Sequence, residues 1–391
     1  MTIHVTLDRA TVEIDESVFR GLFEASVVST RAPYLAAVEK KRITFSELVK
    51  LARTAQIPYS LFFAPKEVVD RQLARKTKVL LSGLSKETFS LNSRNRVRLS
   101  DVELIIKDLL RKQELLKKLD DTLVINKVVG CLRQPAPTIT QDAQTLKAVL
   151  GVSTEDVKTA RSKEVAFDLL VRRMESKQVL VSQSQRNYMP QQLPAGVRFS
   201  GLCVKDKKVP FIFLAGGEDD INTEPTGRRI FTLVLLAVLV ARGRFAPVSY
   251  NTASKRVISN REYEITEEIL MPAAEVRDLS LKALDDVKAY ADTFRVTPSA
   301  MVMRARRLGT LTLVDADEHL TVLAEEYAAK EKRVSRSPLA VNALRKYNGV
   351  EFSRRMVRQL DAGRISPSDF RRVVFQNKMR ASQIIDFRST L

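Results

Sequence analysis

The sequence is poor in the residues on which most metal and nucleophile chemistry rests. Its 391 residues hold two cysteines, two histidines and no tryptophan. Cys131 and Cys203 lie far apart in the chain, which argues against both a disulfide framework and a cysteine-based zinc site. A His-paired zinc site would have to use both His4 and His319, and a catalytic histidine would have to be one of them. Long apolar runs are also missing. The longest, IFTLVLLAVLVA from Ile230 to Ala241, has 12 residues, whereas a membrane-spanning helix needs about 20. Arg228, Arg229, Arg242 and Arg244 bracket this run, so it reads as a helix buried on all sides inside a folded domain. The start, MTIHVTLDRATVEID, lacks the charged-then-apolar order of a signal peptide. A cytoplasmic protein without membrane contact is expected.

What is present is length, apolar content and positive charge. The length predicts two to four domains, and 45% hydrophobic residues are enough to build cores. Against 46 acidic residues stand 65 Lys and Arg, a net charge of +19, which favours polyanionic partners. The excess is concentrated. Residues 71–98 carry eight Lys or Arg against the single acidic Glu87, as a solvated connector or a phosphate-contacting surface. From Lys330 to Leu391, 15 basic residues face 5 acidic ones.

Periodicity predicts a mainly α (α+β) chain. Residues 1–66 read as a small helical unit, in which Phe45, Leu48, Leu51, Ala52 and Ala55 share one helix face before Pro58. Ser100 and Glu103 form a capping-box pattern ahead of an amphipathic helix from about Asp101 to Cys131. A second helical segment, capped by Ser153 with Asp156 at its third position, runs to about Ser176. The polar, proline-marked stretch 182–194 is expected to be a linker or exposed loop. Beyond it, GVRFSGLCV and KKVPFIFLAG alternate like strands. Helices follow at Arg261–Leu270, after the Thr297 cap with Pro298 and Gly309 at its ends, and after the Ser366 cap with Pro367 and Asp369. His319 lies in DADEHL, an assembly that could attract a cation or simply form an exposed acidic helix start.

Three ordered stretches resemble the ImmA/IrrE family of zinc peptidases: PFIFLAGGED with RRIFTLVLLAVLV, REYEITEEILMPAAEV, and FRVTPSAMVMRARRLGTL. The segment KYNGVEFSRRMVRQLDAGRISPSDFRRVV resembles the tail of longer members, so the resemblance covers about residues 196–391. In that family a HExxH helix places two His at i and i+4 on zinc, with the Glu acting on a bound water. Laid on this pattern, Leu235 and Leu239 stand where the two His ligands belong and Leu236 at the catalytic Glu. The third ligand position falls at Ser259, or one turn on at Glu262. The resemblance therefore implies a pseudopeptidase with no metal, cofactor or catalytic residue, its emptied site refilled with apolar volume.

The segment STRAPYLAAVEKKRITFSELVKLARTAQIPYSLFF (29–63) is similar to an Xre-type helix-turn-helix domain, with Lys40, Lys41 and Arg42 where the family usually has a glycine turn. The resemblance implies a recognition helix near Ser26–Ala36, with Ser29, Thr30, Arg31 and Tyr34 reaching base edges or phosphates. Arg94, Arg96 and Arg98 of the basic connector and Arg354, Arg355, Arg371 and Arg372 of the tail complete the candidate nucleic-acid residues. The expected layout is an Xre-like domain (1–66), a basic connector and helical region (67–181), a degenerate zincin-like sheet-plus-helix domain (195–312) and a basic helical tail (313–391). Two functions follow. One is a non-catalytic regulator of phage or mobile-element type that binds duplex DNA. The other is a protein-binding pseudoenzyme in phage immunity or defence, or an antitoxin-like partner; a homodimer stays open in both. With 6% aromatic residues, single-strand recognition by base stacking is disfavoured.

Overall fold

The structure, a computed structural model, describes all residues except 1, 9, 25, 27, 30, 82–88, 92–98, 194–198, 217–223, 251–259 and 330–337. The chain is mainly helical with two small mixed sheets. It divides into two compact units, one of Met1–Gly83, Val97–Leu109 and Pro190–Pro194, the other of Leu84–Arg96, Leu110–Met189 and Ala195–Leu391.

The first unit opens on a hairpin. Strands β1 (Thr2–Leu7) and β2 (Ala10–Asp15) pair antiparallel, and β3 (Arg42–Thr44) adds parallel to β1 on its other side. Residues 1–66 are thus not purely helical as expected. The signal lies in period-2 alternation: Ile3 and Val5 face the core while His4 and Thr6 are less buried, and Ile14 returns from β2. Helices α1 (Glu16–Glu24), α2 (Ala32–Lys40), α3 (Phe45–Thr54) and α4 (Lys66–Leu81) follow, with a 3-10 turn at Tyr59–Phe63. A Thr44–Glu47 capping box starts α3, whose Leu48, Leu51 and Ala52 are buried, and the helix ends before Pro58. Phe19, Phe23, Tyr34 and Phe62 form the aromatic centre of this core.

Helix α5 (Leu99–Leu119) has residues in both units and stops well short of Cys131. The Asp120 carboxylate explains the stop, since Oδ1 accepts from both the amide and the hydroxyl of Thr122 and turns the chain out of the helix. The segment that follows is used elsewhere: the amides of Gly130 and Leu132 donate to the carbonyls of Val240 and Ala241.

The rest of the second unit is built round one helix. Strands β4 (Phe89–Leu91), β5 (Leu180–Gln183), β6 (Phe199–Val204), β7 (Phe211–Leu214) and β8 (Pro247–Tyr250) form a sheet in the order β4-β8-β6-β7-β5. Helices α6 (Ile139–Leu150), α7 (Thr154–Lys158) and α8 (Lys163–Ser176) precede β5. The expected segment from Ser153 to Ser176 is therefore two helices, because Ser162 caps a second start. The apolar run lies in α9 (Thr226–Arg242), buried from Thr232 to Ala241. At Gly201 of β6 a Cβ would stand 2.9 Å from Leu236 Cδ1 and 2.5 Å from the Phe213 carbonyl, so glycine lets the helix and the neighbouring strand approach.

Helices α10 (Arg261–Leu270), α11 (Ala273–Arg277), α12 (Leu284–Thr293), α13 (Pro298–Leu308) and α14 (Leu313–Ala329) continue the unit. A basic helical group, α15 (Ala340–Asn348), α16 (Val350–Asp361), α17 (Pro367–Val373) and α18 (Ile384–Arg388), completes it. The Thr297, Gly309 and Ser366 caps lie where the sequence places them. Of the stretch expected as a linker or exposed loop, residues 182–193 belong to both units and are largely buried rather than an exposed loop. Ser182, Ser184, Gln185, Met189, Gln191 and Leu193 are buried, the polar ones tolerable because their side chains serve backbone groups. Ser182 Oγ donates to the Tyr347 carbonyl at 2.5 Å, and Gln191 Oε1 accepts from the Leu104 amide at 2.9 Å. Among the described residues, no helix is long and apolar enough to cross a membrane.

Candidate functional site

In the first unit, α1 and α2 are joined by the short segment between Glu24 and Ala32. Of the candidates around it, Tyr34 does not face out. It is buried, its ring stacked on Phe19 at 5.9 Å and edge-on to Phe23 at 5.7 Å, and burial pushes its hydroxyl pKa up. The helix-turn-helix resemblance put Tyr34 on the recognition surface; the helix phase turns it into the core with Ala37. Ser29 is half-buried and Thr30 lies outside the described residues.

The cations here fall into two sets. Lys41, in the left-handed conformation at the end of α2, donates to the Glu16 carboxylate, which also accepts from Arg20 Nε at 2.8 Å. These two donors hold the Glu16 carboxyl below its usual range, Lys41 contributing most. Arg31 at the N-cap of α2, Lys40 in its last turn and Arg42 in β3 are exposed, and no carboxylate among the described residues pairs with them. Nine residues of α2 span about 13 Å.

In the tail the four named arginines separate. Arg355 is buried and ion-paired, 2.7 Å from Asp120 Oδ2 and 2.8 Å from Glu351 Oε1, so it is not available to phosphate. This corrects its assignment as a DNA contact: the helix phase of α16 puts it on the inner face beside Met356. Arg354 is exposed, with Nε 2.8 Å from the Leu391 carbonyl. Arg372 pairs with Asp369 at 2.7 Å, and Arg371 is exposed beside it. Arg358, one turn from Arg354 and exposed, was missed by sequence reading because only the helix phase separates it from Arg355. Arg94, Arg96 and Arg98 lie outside the described residues.

Leu235, Leu236 and Leu239, the positions that the resemblance sets against HExxH, are essentially inaccessible and belong to one apolar core. Ser259 lies outside the described residues. Glu262, the alternative, is buried between two guanidiniums, Arg242 Nε at 3.3 Å and Arg244 Nη1 at 3.2 Å. Next to it Tyr263 stacks on Phe231 at 6.1 Å, its buried hydroxyl without a hydrogen-bond partner. His319 is not at an exposed helix start. It lies in the second turn of α14, buried, with Nε2 3.1 Å from the Lys282 carbonyl. Among the described residues no group of three His, Cys, Asp or Glu side chains is placed to hold a metal ion.

Two further buried carboxylates had no signal in the sequence. Glu224 accepts from Ser200 Oγ at 2.8 Å, and burial raises its pKa. Glu175 accepts from the Glu351 amide at 3.2 Å, and burial pushes it up to about 7. No protein-family model, curated protein or solved structure matches the chain.

Proposed function

We propose that the chain is a non-catalytic, DNA-binding regulatory protein of phage or mobile-element type, built on an inactive peptidase scaffold. The observation that carries the reading is the division of charge around α2. Lys41 and Arg20 are spent on Glu16, while Arg31, Lys40 and Arg42 are exposed and make no ion pair among the described residues. Exposed cations at both ends of a short helix offer phosphate contacts, with exposed Arg358 and Arg371 as a further basic set in the other unit. Leucines sealed in the core at positions 235, 236 and 239 support binding rather than hydrolysis. Binding driven by phosphate contacts falls steeply with salt. The test is a filter-binding series on duplex DNA from about 50 to about 300 mM salt. Binding absent at the lowest salt overturns the reading.

A protein-binding pseudoenzyme is the second reading. It is favoured by the exposed apolar side chains of Tyr59, Phe63 and Val68 within ten residues of the first unit. Capture of one stoichiometric protein that survives nuclease treatment would shift the balance to it.

A further inference from the structure

The buried carboxylate of Glu175 sits at the joint between the core of the second unit and its basic C-terminal helices. It projects from the last turn of α8, and one of its oxygens accepts the Glu351 amide in the first turn of α16. A helix N-terminus carries unpaired amides, so a carboxyl oxygen there, neutral or charged, is a cap supplied from another helix; here burial outweighs the pull of the helix end on a negative charge. The fit is tight. Gly349, which precedes α16, has φ +84°, and a Cβ there would lie 2.6 Å from the Val181 carbonyl and 2.7 Å from Glu175 Oε1. Only glycine allows the chain to pass between β5 and this carboxylate. The same joint holds Ser182 Oγ on the Tyr347 carbonyl, so α15 and α16 are both fastened to β5 and α8.

Yet Glu175 is poorly compensated. Its Oε1 is buried without a well-formed hydrogen bond among the described residues, and the backbone at Glu351 and Val181 offsets only part of the cost of burial. On α16, Glu351 repels its negative charge and Arg354 attracts it. Arg354 is exposed, and Arg355 is committed to Asp120 and Glu351. Strand β5 (LVSQ) has no titratable side chain, and Arg345 of α15 is turned to the Thr390 carbonyl. No cation makes an ion pair with Glu175 among the described residues.

We propose that Glu175 is a proton-sensitive fastening, which seats the C-terminal helices most firmly when its carboxyl is protonated and loosens them when it ionises. The direction follows from linkage. Burial raises the folded-state pKa from 4.5 to about 7, so the folded state binds more protons than the unfolded one between these values. Stability contributed by the joint is therefore lost as pH rises through that window. Glutamine keeps the acceptor and cannot ionise.

The experiment is hydrogen exchange on the full chain, corrected for intrinsic rates, at a series of pH values from about 5 to about 8, on wild type and Glu175→Gln. In wild type, protection of the α16 amides should fall severalfold across this range, and in Glu175→Gln it should stay level. Isotope-edited infrared of the Glu175 carboxyl gives a second, direct readout, with a midpoint near 7. Glu351→Gln removes the repelling neighbour and should move that midpoint down. A midpoint near 4.5, or equal pH dependence of α16 protection in wild type and Glu175→Gln, overturns the proposal.

Discussion

Arg355 Nη1 donates to Asp120 Oδ2 at 2.7 Å, tying α16 to the residue that ends α5. Both side chains are nearly buried, and the guanidinium is also 2.8 Å from Glu351. A buried pair is costly to break from one side, because the remaining charge stays in a poor medium. Arg355→Ala should therefore cost about 3 kcal/mol of stability in urea unfolding. Arg371→Ala, at an exposed position, should stay within about 0.5 kcal/mol of wild type. In the salt series on DNA the order reverses. Arg371→Ala should lower the log–log slope by about 1, and Arg355→Ala, assayed where it is folded, should leave it unchanged. Equal slopes in all three proteins would remove the tail from the DNA surface.

The proposed peptidase ancestry can be tested by placing histidines in α9. Leu235→His with Leu239→His puts imidazoles at i and i+4 on the buried α9, where each lacks a partner. The double variant should lose more than about 4 kcal/mol without metal. Zinc should restore part of that loss, since two imidazoles at this spacing reach one ion. Thermal melts with and without zinc decide it: an equal zinc response in wild type and the double variant counts against the ancestry.

Gly201→Ala tests whether α9 lies as close to the sheet as described. Its Cβ would meet the Phe213 carbonyl at 2.5 Å, and backbone cannot yield as a side chain can. The expected loss is about 2 to 4 kcal/mol, through strain between β6 and β7. A melt unchanged within error would show that the approach is looser.

Acid should weaken the first unit through Glu16. Lys41 and then Arg20 hold its carboxyl below the ordinary 4.5, so the unfolded chain takes up its proton first. The contribution is fully present above 4.5 and disappears as pH falls through the lower folded value. Melts from pH 6 downwards should show wild type losing more than Glu16→Gln. Parallel curves would mean that the Lys41 contact adds nothing in solution.

Much of the second unit was legible because its signals are local. An unbroken apolar run bracketed by arginines can only be a buried helix, and α9 is one. Thr297 with Pro298 and Gly309, and Ser366 with Asp369, supply their own cap donors and acceptors, so these ends needed no tertiary information. The extent of α5 was not legible, because amphipathic spacing continues past Leu119 while the Asp120 side chain diverts the backbone. Nor was the burial of 182–193, where polar side chains become interior by serving distant carbonyls and amides such as those of Tyr347 and Leu104.

The charge excess and the scarcity of histidine and cysteine are properties of the sequence by itself, and they bound the chemistry whatever the fold. Which arginine is a surface and which is a strut is not. Arg354 and Arg355 are adjacent and chemically identical, and a 100° step round α16 leaves one in solvent and seals the other against Asp120. The raised pKa of Glu175 is equally a product of folding. It arises because α8 and α16, far apart in the chain, exclude water from one carboxylate, and the field of Arg354 on α16 does not make up for it.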